Sequence, residues 1–117
     1  MTQETQQTKV GVLAGIAAYN EARYIGSIVL QARQYVDEVV VVDDGSTDNT
    51  ARVAELAGAT IVRHAENRGK GAAIQSILAE ARRRNPDTLV LLDADAQHDP
   101  NEIPVLIKPI LEGFDLV

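Results

Sequence analysis

The sequence contains no cysteine and no tryptophan. Disulfides and thiolate-held metals are therefore excluded, and with them the disulfide-stapled class of small domains; the cysteine count is compatible with the cytoplasm. Aromatic residues make up only 3% of the 117 residues, so the core has to be built from Val, Ile, Leu and Ala, which suit helices layered on a sheet. No apolar run approaches the roughly 20 residues of a membrane span. The first nine residues, MTQETQQTK, lack the apolar stretch of a signal peptide. Positive charge is scarce: 11 Lys and Arg stand against 17 Asp and Glu, for a net charge of −6. With no basic cluster interleaved with aromatic residues, no nucleic-acid surface is expected. What is left is an acidic, aliphatic chain of one-domain size.

Behind a polar lead at 1–9, residues 10–117 alternate between strand and helix patterns. Residues 10–17 (VGVLAGIA) are a continuous apolar run of strand length, with Gly11 and Gly15 expected where a neighbour approaches closely. Ile25, Ile28, Val29, Ala32 and Val36 then recur at helical spacing, with Asn20 as expected N-cap and Glu21 at the positive end. Four consecutive valines, 39–42, predict a buried central strand. Residues 50–57 read as a short helix with Val53, Leu56 and Ala57 inward and Gly58 as a left-handed cap. Residues 59–63 give a third strand. The turn 67–71 (NRGKG) opens a helix reaching about residue 84, with Ala72, Ala73, Ile74, Ile77, Leu78 and Ala81 inward. Residues 88–92 (TLVLL) predict a strand buried on both faces. Beyond it, Asn101 is expected to cap a fourth helix with Pro104 in its first turn and Pro109 ending it. Residues 113–117 look like the entry to a further strand, with the chain cut there.

Alternation with short loops predicts an α/β fold: three layers, α/β/α, around a mostly parallel sheet. In such sheets ligands collect outside the carboxyl ends of the strands. Three polar clusters fall there, at 19–21, 43–48 and 93–98. Asp93 and Asp95 are two residues apart, and in extended chain they point the same way, with Gln97 next on that side. Hard oxygens at this spacing can hold Mg2+ or Mn2+, whose shell is completed by phosphate oxygens and water. An ionised Asp44 can accept the ring N–H of uracil or guanine. Arg68 and Lys70, at a helix start, add positive charge near the base or phosphates. Each cluster also has a plain structural reading: 43–46 as a turn and cap, 67–71 as a surface turn, Tyr19 as cover for the sheet edge, and the Asp-X-Asp as a turn-capping loop. His64 and His98 read as solvated or loop histidines.

Tyr-Asn-Glu at 19–21, Val-Val-Asp-Asp-Gly-Ser-Thr-Asp at 41–48, Asn-Arg-Gly-Lys-Gly at 67–71 and Leu-Asp-Ala-Asp-Ala-Gln-His-Asp-Pro at 92–100 follow one another at four expected loops. In that order they resemble the family 2 glycosyltransferases of GT-A fold, most nearly the dolichol-phosphate mannosyltransferase-like branch. The resemblance covers residues 10–117 and implies the Rossmann-like nucleotide-binding half of such a domain, with a GDP- or UDP-sugar donor and Mg2+ or Mn2+ as cofactor. It implies donor contacts from Ala17, Tyr19, Asn20, Glu21, Asp44, Lys70, Asp93, Ala94 and Asp95. Tyr19 and Glu21 would lie by the base or ribose, Asp44 on the base and Asp93 toward the nucleoside, while Asp95 and Gln97 would ligate the metal. The transfer implied is inverting, to an acceptor such as a polyprenyl phosphate, at the cytoplasmic face of a membrane reached through parts outside this chain. The acceptor-side base is expected beyond Val117, so no catalytic residue is assigned within the chain. One departure is Ala17-Ala18, where the family commonly has a proline before Tyr-Asn-Glu.

Other readings are a nucleotide-binding module without catalysis and a sugar-phosphate nucleotidyltransferase. The second ranks lower because 10–18 lacks a basic Gly-rich phosphate loop. A receiver-like signalling domain would need a Lys ending a late strand, and none is offered. The expected cut also predicts an open apolar edge along 88–92, prone to self-association.

Overall fold

The computed structural model describes residues 11–94 and 105–107. The chain runs β1 (Val12–Ala18), α1 (Ala22–Ala32), β2 (Glu38–Asp44), α2 (Thr50–Leu56), β3 (Thr60–His64), α3 (Lys70–Arg84), β4 (Thr88–Asp93) and β5 (Val105–Ile107). The sheet order is β3-β2-β1-β4-β5. The first four strands are parallel, and β5 is antiparallel to β4.

Period-two alternation along the strands divides the core in two. On one face Ala14, Ile16, Val39, Val41, Val90 and Leu92 pack against Ile25, Ile28, Val29 and Ala32 of α1 and Ala54 of α2. On the other, Leu13, Val40, Val42 and Leu89 pack against Ala73, Ile77, Leu78 and Ala81 of α3. The expected three layers follow directly. From β1 the chain steps outward to β2 and β3 with α1 and α2 on one face; α3 then carries it back across the other face to β4, on the far side of β1. That reversal puts a topological switch point between β1 and β4, where ligands of open α/β sheets bind.

Three expectations are corrected. Leu56 is 74% exposed, and α2 buries Thr50 and Ala54 instead, with Val53 and Ala57 partly buried beside them. Leu56 lies two residues from Ala54, about 200° around the helix, so the two cannot share a face. The fourth helix expected from Asn101 to Pro109 is replaced, at 105–107, by strand β5, whose Val105 pairs with Val90 and Ile107 with Thr88. An apolar, partly β-branched triplet beside an unpaired strand completes the ladder there, and a proline just before a strand costs no ladder bond. The edge expected to be open along 88–92 is therefore paired at 88–90. The remainder of the expected fourth helix and the strand entry at 113–117 lie outside the described residues.

Candidate functional site

Two loops at the carboxyl end of the sheet are fastened to each other by side chains. Asn20 adopts a left-handed backbone, φ 53°, which asparagine tolerates better than most residues. Its N–H donates to Ser46 Oγ at 2.7 Å, and its Oδ1 accepts the Thr47 N–H at 2.8 Å. The next two N–H groups, of Glu21 and Ala22, donate to Thr50 Oγ1 at 2.9 Å and Asp48 Oδ2 at 3.2 Å. The start of α1 is thus capped from the β2–α2 loop and the first residue of α2, not by Asn20 as expected; Glu21 is the N-cap residue, with no side-chain capping bond. Asp48 Oδ1 accepts both the N–H and the hydroxyl of Thr50. Burial pushes the Asp48 carboxyl up, but the bonds from Thr50 and Ala22 outweigh it and hold the group below its ordinary value. Asp43 is fully buried and accepts the Ser46 N–H at 3.1 Å. Asp43, Ser46, Asp48 and Thr50 therefore shape this end of the sheet.

Asp44 is different. It follows Val40 and Val42 on the α3 face and is only 4% exposed. Its Oδ1 accepts the Arg68 N–H and the His64 Nδ1–H, each at 2.8 Å, and its Oδ2 accepts the Gly69 N–H at 2.9 Å. Asn67 Nδ2 donates to the Asp44 carbonyl at 3.2 Å. Burial pushes the Asp44 carboxyl up, and the bonds from His64, Arg68 and Gly69 more than offset this, leaving it below its ordinary value. The group is a carboxylate at neutral pH and a pure acceptor.

His64 corrects a further expectation. It is 7% exposed, pairs with Asp44 in the β2–β3 register, and meets Ser76 Oγ of α3 through Nε2 at 2.8 Å. The third strand was expected to end at Arg63, one residue short, which left His64 in a loop. Extending the strand to His64 places it beside the last residue of β2.

A cleft of about 390 Å³ opens at the carboxyl ends of β1, β2 and β4. Ala17, Ala18, Tyr19 and Glu21 line it from the β1 side, Asp44 from β2, Asn67, Gly69, Lys70 and Ala73 from the start of α3, and Ala94 from beyond β4. Of the residues expected at a donor site, Ala17, Tyr19, Glu21, Asp44, Lys70 and Ala94 share this cleft. Tyr19, among the lining residues, is 46% exposed. Asn20 is not among the lining residues and braces the loop behind it. Asp93 ends β4 paired with Ala17 of β1, at the switch point. Asp95, Gln97 and His98 lie outside the described residues. Among the described residues there is no group of three or more side chains able to hold a metal ion, and no helix long and apolar enough to cross a membrane. Sequence reasoning missed Asn67 and Gly69, whose part lies in the loop wrapped over β2.

Residues 14–117 match the family model described as Glycosyl transferase family 2. The chain is 35% identical over 115 residues to the UDP-N-acetylglucosamine–dolichyl-phosphate N-acetylglucosaminyltransferase of Methanococcus voltae, covering 82% of this chain and 45% of that protein. It is 39% identical over 84 residues to the undecaprenyl-phosphate 4-deoxy-4-formamido-L-arabinose transferase of Serratia proteamaculans, covering 68% and 26%. Among solved structures, glucosyl-3-phosphoglycerate synthase of Mycobacterium tuberculosis in complex with Mn2+, UDP and glucosyl-3-phosphoglycerate is similar with a TM-score of 0.63 and 30% identity, over 74% of this chain and 34% of that one. The chain spans less than half the length of each.

Proposed function

The chain belongs to glycosyl transferase family 2, and from that premise we propose that its cleft holds the nucleotide-sugar donor of a metal-dependent, inverting sugar transfer. The observation that carries this reading is the Asp44 carboxylate, kept ionised by three protein donors in a residue that lines the cleft. A fixed acceptor of this kind suits the ring N–H of a nucleobase. Tyr19 and Glu21 are assigned to the base or ribose, with Ala17, Lys70, Asp93 and Ala94 completing the donor site and Asn20 holding the loop that carries Tyr19.

Asp95 and Gln97 are assigned as ligands of Mg2+ or Mn2+. A carboxylate and an amide oxygen form a hard donor set suited to either ion. Strand β4 delivers Ala94 to the cleft, so Asp95 is the next residue along. Such an ion, when bound, offsets the charge of the diphosphate and of the leaving group. The acceptor we assign is a polyprenyl phosphate, a class supported by the dolichyl-phosphate and undecaprenyl-phosphate relatives. It would be met at the cytoplasmic face of a membrane. The branch assigned is the dolichol-phosphate mannosyltransferase-like one.

Calorimetry with UDP and GDP, with and without Mn2+, on wild type and Asp95→Ala tests the reading. Metal-dependent binding that the substitution abolishes, with the thermal midpoint unchanged, is expected. Binding that ignores both the metal and the substitution would remove Asp95 from the site.

A further inference from the structure

We infer that His64 determines base specificity, and that with His64 in place the cleft takes a uracil-bearing nucleotide in preference to a guanine-bearing one. The inference rests on the assignment of Asp44 to the base. An ionised carboxylate offers about four acceptor positions, two on each oxygen. On Asp44, Oδ1 is filled by the Arg68 N–H and by His64 Nδ1, both at 2.8 Å, and Oδ2 already accepts the Gly69 N–H at 2.9 Å. Among the described residues, a single acceptor position on Asp44 remains unclaimed, on Oδ2.

His64 is not free to give up its place. Its ring is buried, its strand is locked to β2 with Asp44 and His64 as register partners, and its far nitrogen is 2.8 Å from Ser76 Oγ on α3. Because the carboxylate only accepts, Nδ1 must carry a proton, which fixes the tautomer. Nε2 then accepts from the Ser76 hydroxyl when the ring is neutral and donates to it when the ring is charged. The contact to Asp44 survives in either state.

The two bases differ in what they ask of the carboxylate. Uracil presents one ring N–H, flanked by carbonyls, and one acceptor position satisfies it. Guanine presents a ring N–H and an exocyclic amino group side by side, a pair that matches both oxygens of an open carboxylate. Here Oδ1 is full, so one guanine donor would leave water without a partner on Asp44. A desolvated donor left unpaired weakens binding by about tenfold or more.

Calorimetric titration of UDP and of GDP in the presence of Mn2+, on the wild-type chain, His64→Ala and His64→Asn, decides the matter. Wild type is expected to bind UDP at least about tenfold more tightly than GDP. His64→Ala uncovers a position on Oδ1 and should shrink that ratio to about threefold or less, through a gain in GDP affinity. His64→Asn, whose amide N–H can donate from the place of Nδ1, should keep the wild-type ratio. A histidine that merely supports the fold would weaken both nucleotides alike and leave the ratio unchanged, and that result overturns the inference. So does equal or tighter GDP binding by wild type, a comparison that stands even where His64→Ala fails to fold. Equal binding of both nucleotides removes the selectivity and leaves the donor reading intact, whereas binding of neither removes both.

Discussion

The backbone of Gly45 lies directly against that of Asn67. A Cβ added at Gly45 would stand 2.3 Å from the Asn67 nitrogen, and Gly45 itself has φ 75°. This contact presses the β3–α3 loop onto the end of β2, and the same loop supplies the Arg68 and Gly69 N–H groups that hold Asp44.

Gly45→Ala should therefore destabilise the chain by about 2 kcal/mol or more, from the left-handed backbone together with the clash. Gly69 is the internal control. Its φ of 96° with ψ 159° is a backbone conformation essentially reserved for glycine, yet nothing lies within 4 Å of an added Cβ, so Gly69→Ala should cost about 1–3 kcal/mol from the backbone alone, and less than Gly45→Ala. Urea denaturation of the two variants compares them, and equal losses would mean that the packing of Gly45 on Asn67 is not the constraint.

Asp48 ties two helix starts together, through the N–H of Ala22 at α1 and the N–H and hydroxyl of Thr50 at α2. Asp48→Ala is expected to cost about 1–2 kcal/mol, at the upper end for a helix cap, while Asp48→Asn should retain much of that. Equal stability of wild type and Asp48→Ala in urea would contradict the clamp.

The acid limb of stability has a definite sign. Asp44 and Asp48 sit below their ordinary value of 3.8 in the folded chain, so at low pH the unfolded chain binds more protons than the folded one. Their contribution is full above the unfolded value and is lost as pH falls through the folded one. Unfolding midpoints measured between about pH 2 and 6 should drop less steeply in Asp48→Asn than in wild type. Identical slopes would show that Asp48 is not held as the geometry implies.

Gly15 is where α3 reaches the sheet: a Cβ there would lie 2.3 Å from Ile77 Cγ2. Gly15→Ala should cost about 1–3 kcal/mol. Ile77→Leu, which lacks the branching methyl, should recover part of that loss in the double variant. Strict additivity of the two substitutions would place the contact elsewhere.

How far the sequence foretold this fold depends on how local each signal was. The valines at 39–42 are buried on both faces, as are Leu89, Val90 and Leu92 within the run 88–92, and both stretches carry their strand assignment in composition alone. Ile25, Ile28, Val29 and Ala32 repeat often enough to fix the phase of α1, whereas α2 has seven residues, too few turns to fix which side Leu56 takes. Pro104 suits the first turn of a helix and the entry of a strand equally, and the choice is made by the β4 edge. The cap of α1 comes from Ser46, Thr50 and Asp48, more than twenty residues away. His64 meets Asp44 only through the β2–β3 register. The clusters at 19–21 and 43–48 were legible because the α/β alternation brings the carboxyl ends of the parallel strands to one side; the division of 43–48 into one cleft residue and a structural clamp was not, since both roles use the same short polar side chains.

The most direct test of the account follows the amide shifts of the chain by NMR during a titration with UDP in the presence of Mg2+. If the cleft holds the nucleoside on Asp44, the amides of Tyr19, Arg68, Gly69 and Lys70 shift together and saturably, while those of Leu30 and Arg84, away from the cleft, stay in place. Saturable shifts elsewhere on the chain with these four amides unmoved, or no shifts at all, would contradict it.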